Sequence, residues 1–380
     1  MTRLLVSSGE PSGELYGAEL VRHLRPLTPD LEVFGLGGDR LQAQGARLVA
    51  HVRELAVVGL TEVVRHLRRL RRVFRTLLQE IDGNPPALAV LIDYPDFNLR
   101  LARELKRRGI PVVYYVSPQI WAWRTGRIKT IRATVDRMLV IFPFEQPLYE
   151  NAGVPVEFVG HPLIDLIPAT PDRAGYQQSQ AVDPTRPLIA LLPGSRPSEI
   201  THNLPPLVAA VQLLHAARPE LQFHLAQAPS LDPALLRARL GNRTLQIRLV
   251  PNDTPRMLGA ADVALVASGT ATVETALAGT PLVVVYRVSP LTYLLGRRLL
   301  RIEHFAMVNL IAGRRVVTEL EQAAFTPEAV AHEAGLLLDD RERAARMRQD
   351  LAEVRRKLGA PGASQRAARA VHALLQDPRT

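Results

Sequence analysis

The stretch from Asp262 to Arg287 constrains the fold of this chain more than any other. Val263 to Ala267 is a short apolar run, the length of a buried strand. Ser268-Gly269-Thr270 breaks it, and Ser268 or Thr270 can cap a following helix. Gly279-Thr280-Pro281 ends that helix, and Leu282 to Tyr286 is a second apolar, β-branched run. Strands apolar without alternation are covered on both faces, as in a parallel sheet. Glu274 falls about one helical turn beyond the break. A helix N-terminus beside a strand's carboxyl end suits phosphate, and a carboxylate a turn further in suits ribose hydroxyls. The plainer alternative is an ordinary strand–helix–strand unit with Glu274 on a solvated face.

The same alternation runs through most of the chain. Strands are predicted at Leu4 to Ser7, Glu32 to Leu36, Ala87 to Ile92, Val112 to Val116 and Arg137 to Phe142, with helical spacing between them. The pattern stalls at 165–187, rich in Pro, Asp, Gln and Ser, which reads as a linker. It restarts with strands at Leu188 to Leu192, Leu221 to Ala226 and Leu245 to Val250 before the opening stretch, and is helical after Pro327. Strands alternating with helices predict α/β architecture, with two doubly wound, Rossmann-like sheets. The expected division is residues 1–168, a linker at 169–186, 187–340, and C-terminal helices at 341–380. Such sheets bind ligands at the carboxyl ends of their strands, so two facing sheets are expected to share a central cleft.

Composition narrows the chemistry. The 380 residues contain no cysteine, which excludes disulfides, thiolate metal sites and thiol nucleophiles. Net charge is +10, carried mostly by arginine, which suits an anionic partner. Arginines line one face of a predicted helix at residues 57–81, and the segment from Leu291 to Arg301 is similarly basic. Both allow a solvated face or an anionic membrane surface. No signal-peptide pattern opens the chain and no run approaches the length of a membrane span. A cytoplasmic protein that touches a membrane without crossing it is expected.

The loops after strands carry the candidate residues. Gly194-Ser195-Arg196 opens a helix, where amides and a guanidinium can face a phosphate; the alternative is a helix start with Arg196 in solvent. Asp93 and Asp96 sit at a strand end and supply a candidate general base. Asp93 is favoured because it directly ends the strand, and either could merely cap the helix that Pro95 begins. Glu10, in the first Gly loop, can hold sugar hydroxyls or be a solvated turn acid. His161 can be packed structurally or reach the cleft. Asn309, followed by Gly313-Arg314, can cap a helix. Trp121 and Trp123 can pack or form a stacking platform. No His/Asp/Glu spacing predicts a metal site.

Taken together, GEPSGELYGAEL, DYPDFN, YYVSPQIWAWR, FPFE, VGHPL, LLPGSR, ASGTATVETALAGTPLVVVYR and NLIAGR resemble the lipid-A-disaccharide synthases, in that family's order and over nearly the whole chain. The resemblance implies a GT-B glycosyltransferase that needs no metal or other cofactor. It implies inverting transfer from UDP-2,3-diacylglucosamine to the 6-hydroxyl of 2,3-diacylglucosamine 1-phosphate, forming a β-1,6 linkage and releasing UDP. It implies Asp93 as base, with Glu10 also needed for activity. UDP contacts are implied at Arg196, Glu274 and Asn309, so the candidate nucleotide set is Gly194, Ser195, Arg196, Ser268, Gly269, Thr270, Glu274, Asn309 and Arg314, with His161 beside them. Peripheral membrane association follows as well, with C-terminal helices that pack back on the first domain or exchange within a homodimer. A nucleic-acid partner is not expected. The chain departs from the family's usual GEASGD at Pro11 and Glu14, and reads Met307-Val308 where a proline usually precedes the asparagine. A competing GT-B reading is a UDP-N-acetylglucosamine 2-epimerase.

Overall fold

The computed structural model describes residues 1–55, 63–228, 231–240, 246–289, 293 and 304–376. The start of the arginine-faced helix and, Tyr293 apart, most of the basic segment from Leu291 to Arg301 lie outside them. The chain forms two compact units, Met1–Asp165 with the residues from Gly359 on, and Leu166–Leu358.

The first unit is built on seven parallel strands: β1 (Thr2–Ser8), β2 (Leu31–Gly37), β3 (Arg47–His51), β4 (Leu88–Ile92), β5 (Val112–Tyr115), β6 (Arg137–Val140) and β7 (Val156–Phe158). Their order is β3-β2-β1-β4-β5-β6-β7. The second unit has six: β8 (Leu188–Leu192), β9 (Gln222–Gln227), β10 (Ile247–Pro251), β11 (Val263–Ala267), β12 (Leu282–Tyr286) and β13 (Thr318–Glu321). They are also parallel, in the order β10-β9-β8-β11-β12-β13.

Each sheet winds outward from its first strand, then restarts on the other side. The reversals fall between β1 and β4 and between β8 and β11. There the connecting helices leave toward opposite faces, and a crevice opens at the strands' carboxyl ends. Register fixes which loops meet. Ser8 is opposite Ile92, so the Gly9-Glu10 and Asp93-Tyr94 loops emerge together. Leu192 is opposite Val266, which brings out Pro193–Arg196 beside Ser268–Thr270. β4, β8 and β11 are buried along their whole length, which is what a run such as LIALL requires.

Three strands escape the apolar pattern: β3, β7 and β13. Each lies at a sheet edge, where one flank has no neighbour and charged residues are tolerated, as in TELE of β13. The segment read as a linker carries a helix, Arg173–Ser179. Asp172 caps it through the Gly175 amide, and buried Tyr176 bonds His224 Nδ1 at 2.7 Å. One anchored turn has no periodicity to read, so this segment is part of the second unit rather than a free tether.

The C-terminal helices divide differently from the expected boundary at residue 341. Helix Arg341–Lys357 stays with the second unit, and only helix Ala363–Gln376 returns to the first, against helix Pro11–Leu24. Asp165 accepts from the Gly362 and Ser364 amides, at 2.6 and 3.2 Å. Arg366 donates to the Val159 carbonyl, and Thr28 meets His372. An Ala- and Arg-rich tail gives no hint of which surface it will cover. Asp165, about two hundred residues upstream, fixes the docking.

Candidate active site

In the first unit, two adjacent residues after β4 hold left-handed backbone: Asp93 (φ 46) and Tyr94 (φ 49). Such a conformation is costly for residues with a Cβ and persists only where surroundings over-determine it. Here they do. The Asp93 amide donates to the Tyr115 carbonyl. Its carbonyl accepts from the Tyr114 hydroxyl at 2.7 Å and from Asn98 Nδ2 at 2.7 Å. Asn98, fully buried, also donates to the Ser7 and Ile92 carbonyls and accepts from Ser7 Oγ. One amide thereby clamps the ends of β1 and β4 and sets the half-buried Asp93 side chain at the switch point.

The Tyr94 ring lies on Gly9: a Cβ there would stand 2.2 Å from ring carbon Cδ1. Only glycine admits this approach. Burial pushes the Tyr94 phenol up, and the Glu10 and Asp96 carboxylates add to the shift, which places Glu10 beside the Asp93-Tyr94 turn. Glu10 precedes helix Pro11–Leu24 without capping it through its side chain. Asp96 is instead bound by Arg124, at 2.8 Å, and by Arg127. That pairing separates the two aspartates: Asp93 keeps the switch-point position and Asp96 is a partner of arginines.

The SPQIWAWR loop after β5 resolves the tryptophan alternatives residue by residue. Trp121 packs edge-on to Phe144 and donates to Glu145 Oε1 at 3.3 Å. Glu145 is buried, its other oxygen accepts from the Phe142 amide, and burial pushes its carboxyl up to about 8. Trp123 instead carries cations, with Arg124 4.3 Å and Arg127 5.4 Å from its ring centroid. His161 is a core residue. It is 1% exposed, packed by Tyr16 and Phe142, and accepts from the Leu163 amide. Burial lowers it to about 3, so it is neutral at ordinary pH. An aromatic cage and a single histidine in VGHPL look the same in sequence whether or not the ring is reachable.

In the second unit, the loop after β8 differs from expectation. The amides of Ser195 and Arg196, read as phosphate donors, both point at Glu199 Oε2, at 2.8 and 3.3 Å. Glu199 is the third residue of helix Pro197–Ala217 and closes a capping arrangement. Gly194, at φ 122, is obligatory, because a Cβ would meet that carboxylate at 2.4 Å. The Arg196 guanidinium is 61% exposed, 3.6 Å from Glu199. Asn203, which the sequence did not single out, donates to the Pro193 carbonyl and accepts from the Arg287 amide, tying the ends of β8 and β12.

The loop after β11 has the strand–turn–helix layout read from it, but neither Ser268 nor Thr270 caps the helix: the N-cap position is Gly269, which has no side chain to offer. Gly269 (φ 145) precedes helix Thr270–Ala278, which has no side-chain cap, and the space a Gly269 side chain would take is open among the described residues. Thr270 is exposed, while the Ser268 hydroxyl donates to the Phe305 carbonyl at 2.9 Å. Glu274, one turn in, has no side-chain partner among the described residues, and burial pushes it up to about 7. An uncapped helix end and a carboxyl with no side-chain partner, one turn apart, offer an anion seat and a hydroxyl acceptor.

Two expected contacts have other work. Asn309 is fully buried. Its Oδ1 accepts from the Val316 and Val317 amides, and its Nδ2 donates to the Val317 carbonyl and Glu319. Four bonds saturate the amide. Glu319 also accepts from the Phe305 and Ala306 amides, so Asn309 shapes the loop that Ser268 holds. Arg314 pairs with Asp350 and Glu353 on helix Arg341–Lys357. Both lie in a polar break whose internal partners are invisible to a local reading. Among the described residues, no cluster of three His, Asp or Glu could hold a metal ion.

The sequence model of a family described as Lipid-A-disaccharide synthetase matches residues 4–374. The chain belongs to that family. It is 45% identical over 373 residues to a Lipid-A-disaccharide synthase of Geobacter sulfurreducens, covering 98% of this chain and 97% of the relative. A Lipid-A-disaccharide synthase of Koribacter versatilis is 46% identical over 382 residues, covering 99% of each. Among solved structures, the UDP-GlcNAc 2-epimerase of Neisseria meningitidis, bound to UDP-GlcNAc, aligns with TM-score 0.67 at 12% identity, over 99% of this chain and 100% of that one. The calicheamicin glycosyltransferase CalG4 aligns at 0.63 and 16%, over 99% and 98%. At such identities the likeness shows the fold, GT-B with two Rossmann-like units. The epimerase reading has only this distant likeness, whereas the Lipid-A-disaccharide synthetase match runs through the sequence itself.

Within that family, the departures in this chain have local explanations. Pro11 takes the first helical position, where its missing N–H costs nothing. Glu14 is buried and accepts from the Leu41 amide at 2.9 Å, bracing the helix Asp39–Ala43. Met307 and Val308 open helix Met307–Ala312, a place where proline is equally at home.

Proposed function

We propose that this glycosyltransferase is a lipid-A-disaccharide synthase that joins UDP-2,3-diacylglucosamine to the 6-hydroxyl of 2,3-diacylglucosamine 1-phosphate. Full-length similarity to relatives of that name carries the activity, and the clamped backbone of Asp93 supports the assignment of the base. In this reading the Asp93 carboxylate takes the proton of the acceptor 6-hydroxyl. The oxygen attacks the anomeric carbon of the donor, the bond from that carbon to the diphosphate oxygen breaks, and UDP leaves with the electron pair. A single displacement inverts the centre and gives the β-1,6 link.

Charge developing on UDP needs preorganised donors. The uncapped helix end at Gly269-Thr270 and the exposed Arg196 guanidinium are the groups suited to it. Glu274 accepts from ribose hydroxyls, and Glu10 from sugar hydroxyls. Ser268, Gly194 and Asn309 hold the loops, as their contacts support.

The acylated substrates call for a membrane surface. Arg68, Arg71, Arg72 and Arg75 line a depression of about 470 Å³ on helix Val63–Gly83, and their density suits anionic headgroups. No helix among the described residues is long and apolar enough to cross a membrane. A homodimer by exchange of helix Ala363–Gln376 would repeat the Asp165 contacts between chains.

The test is product analysis by mass spectrometry with both acylated substrates. Disaccharide 1-phosphate and UDP are expected. Epimerised donor formed without acceptor would overturn the reading. Asp93→Asn is expected to keep UDP binding and to lose about 10²- to 10⁴-fold in kcat; unchanged kcat would move the base elsewhere.

A further inference from the structure

We propose that Arg124 and Arg127, stacked on Trp123 and bridged by Asp96, form the seat for a sugar phosphate monoester, the acceptor's 1-phosphate. The inference rests on the reading above for the identity of the acceptor, while the anion seat itself rests on the following geometry.

Arg124 lies in the loop after β5, Arg127 opens the helix Arg127–Thr134 that follows it, and Asp96 lies in the first turn of helix Pro95–Arg107 after β4. β4 and β5 are neighbours, with Ile92 opposite Tyr115, so the two loops leave the sheet side by side. Both guanidinium groups donate to the same oxygen, Asp96 Oδ1. Both stand over one indole, at 4.3 and 5.4 Å from its centroid. Two positive charges against one carboxylate leave the cluster net positive. Stacking fixes the planar forks, so little side-chain entropy remains to be lost when an anion arrives. Each fork has five N–H groups, and among the described residues Asp96 is the side-chain acceptor for both. The cluster is reachable at Asp96, 69% exposed, and Arg124, 51% exposed, while Arg127 is 14% exposed.

The backbone adds an independent observation. Among the described residues, seven other than glycine have positive φ, and four are Asp93, Tyr94, Val116 and Arg124. Val116, β-branched at φ 64, is a marked outlier. Asp93 and Tyr94 are explained by their clamp. Arg124, at φ 53, is an exposed residue with no core to fill. A surface ion pair is worth too little to account for such strain. Holding a charged fork in place for a ligand does account for it.

The cluster also shares its neighbourhood with the base. The Tyr114 hydroxyl donates to the Asp93 carbonyl. Burial raises that phenol, the Asp93 and Asp96 charges add to the rise, and the Arg127 charge opposes it. A glucosamine ring whose 1-phosphate sits on the arginines has its far side, with the 6-hydroxyl, available to Asp93.

The chain's only tryptophans are Trp121 and Trp123, so the cluster reports its own occupancy. Intrinsic fluorescence is followed in the full-length protein during titration with glucosamine 1-phosphate and, separately, glucosamine. A saturable response to the phosphate alone is expected, weakened roughly 10- to 100-fold in Arg124→Gln and in Arg127→Gln. Arg124→Lys, which keeps charge but loses the fork, is expected to fall between. Equal responses to both sugars, or no change in the variants while circular dichroism and UDP binding stay normal, overturn the seat. Turnover with acylated acceptor, with and without its 1-phosphate, separates the two claims. Wild-type protein making no disaccharide would sink the functional reading, leaving the anion seat to the titration. A KM rise in the variants confined to the phosphorylated acceptor supports both.

Discussion

Asn98 donates to the Asp93 carbonyl at 2.7 Å while accepting from Ser7 Oγ at 2.7 Å, so one buried amide joins the first strand of the chain to the candidate base. Asn98→Ala removes all of these bonds, takes from the Ser7 hydroxyl its buried acceptor, and leaves the Asp93 carbonyl with the Tyr114 hydroxyl alone. A loss of about 1–3 kcal/mol in stability is expected, the cost of leaving buried polar groups unpaired. The loss in kcat is expected to be larger than that cost implies, because Asp93 then relaxes from its left-handed conformation. Urea denaturation alongside steady-state kinetics measures both. A variant that loses stability but keeps kcat would show that the clamp does not position the base.

Gly9 and Tyr94 make a second, steric link between the same two loops. Gly9→Ala puts a methyl 2.2 Å from the Tyr94 ring, closer than any real Cβ contact, and the ring must move. Tyr94 follows Asp93 directly, so displacement travels into the base. Lower kcat with unchanged UDP affinity is expected, since the UDP-facing groups proposed above belong to the second unit. Isothermal titration with UDP and acceptor-saturated kinetics give the two numbers. Matching activity to wild type would mean that the ring has room to swing aside.

How far the sequence reveals these features depends on where each residue's partners lie. The strands at the switch points were legible because both faces are buried and the apolar runs are continuous, as in LIALL and VALVA. β3, β7 and β13 were not, because an edge strand needs no such run. Asp93 could be picked from its place at a strand end. Asn98 could not, since its value depends on Ser7, ninety-one positions away. Glu199 looks like any helix acid, yet it takes the amides that a local reading assigns to phosphate. Asn309 and Arg314 read as ligand contacts from their motif, while Glu319, Asp350 and Glu353 claim them in space. Local grammar gives elements and loops; the partners within a loop cluster are set by tertiary register.

Glu145 ties the stability of the tryptophan loop to pH. Its carboxyl is raised from about 4.5 to about 8, mainly by burial, with the Phe142 amide and Trp121 Nε1 opposing the shift. A carboxyl whose folded pKa lies above its unfolded one takes up a proton on folding. Its contribution is therefore fully present below about pH 4.5 and is lost as pH rises through about 8. Glu145→Gln, which stays neutral, is expected to remove this slope, whatever constant cost the swap adds. Chemical denaturation across that window, in wild type and variant, makes the comparison. Parallel pH profiles would place the titration on another group.

Glu274 is the group through which nucleotide affinity should depend on pH. Burial raises it to about 7, and no protein side chain pairs with it among the described residues, so the free protein holds a mixture of acid and carboxylate near neutrality. Ribose hydroxyls donate, and a carboxylate accepts more strongly than the neutral acid. UDP therefore selects the ionised form and releases a proton where Glu274 was protonated. Affinity should rise with pH, by up to about tenfold per unit below pH 7, and level off above it. Phosphate ionisation of UDP also titrates on the acid side, so the wild-type curve alone does not isolate the carboxyl. Glu274→Gln does, because only the phosphate component remains in it. The variant is expected to bind UDP about 10- to 100-fold more weakly at pH 8, the worth of a hydrogen bond to a charged group. Its curve should also lie flat between about pH 6.5 and 8. Titration calorimetry in two buffers of different ionisation enthalpy counts the released proton directly. If wild type releases none near neutrality, or if the two pH curves run parallel, Glu274 does not contact the nucleotide. The helix end at Gly269-Thr270 would then have to hold the phosphates without a ribose partner one turn beyond.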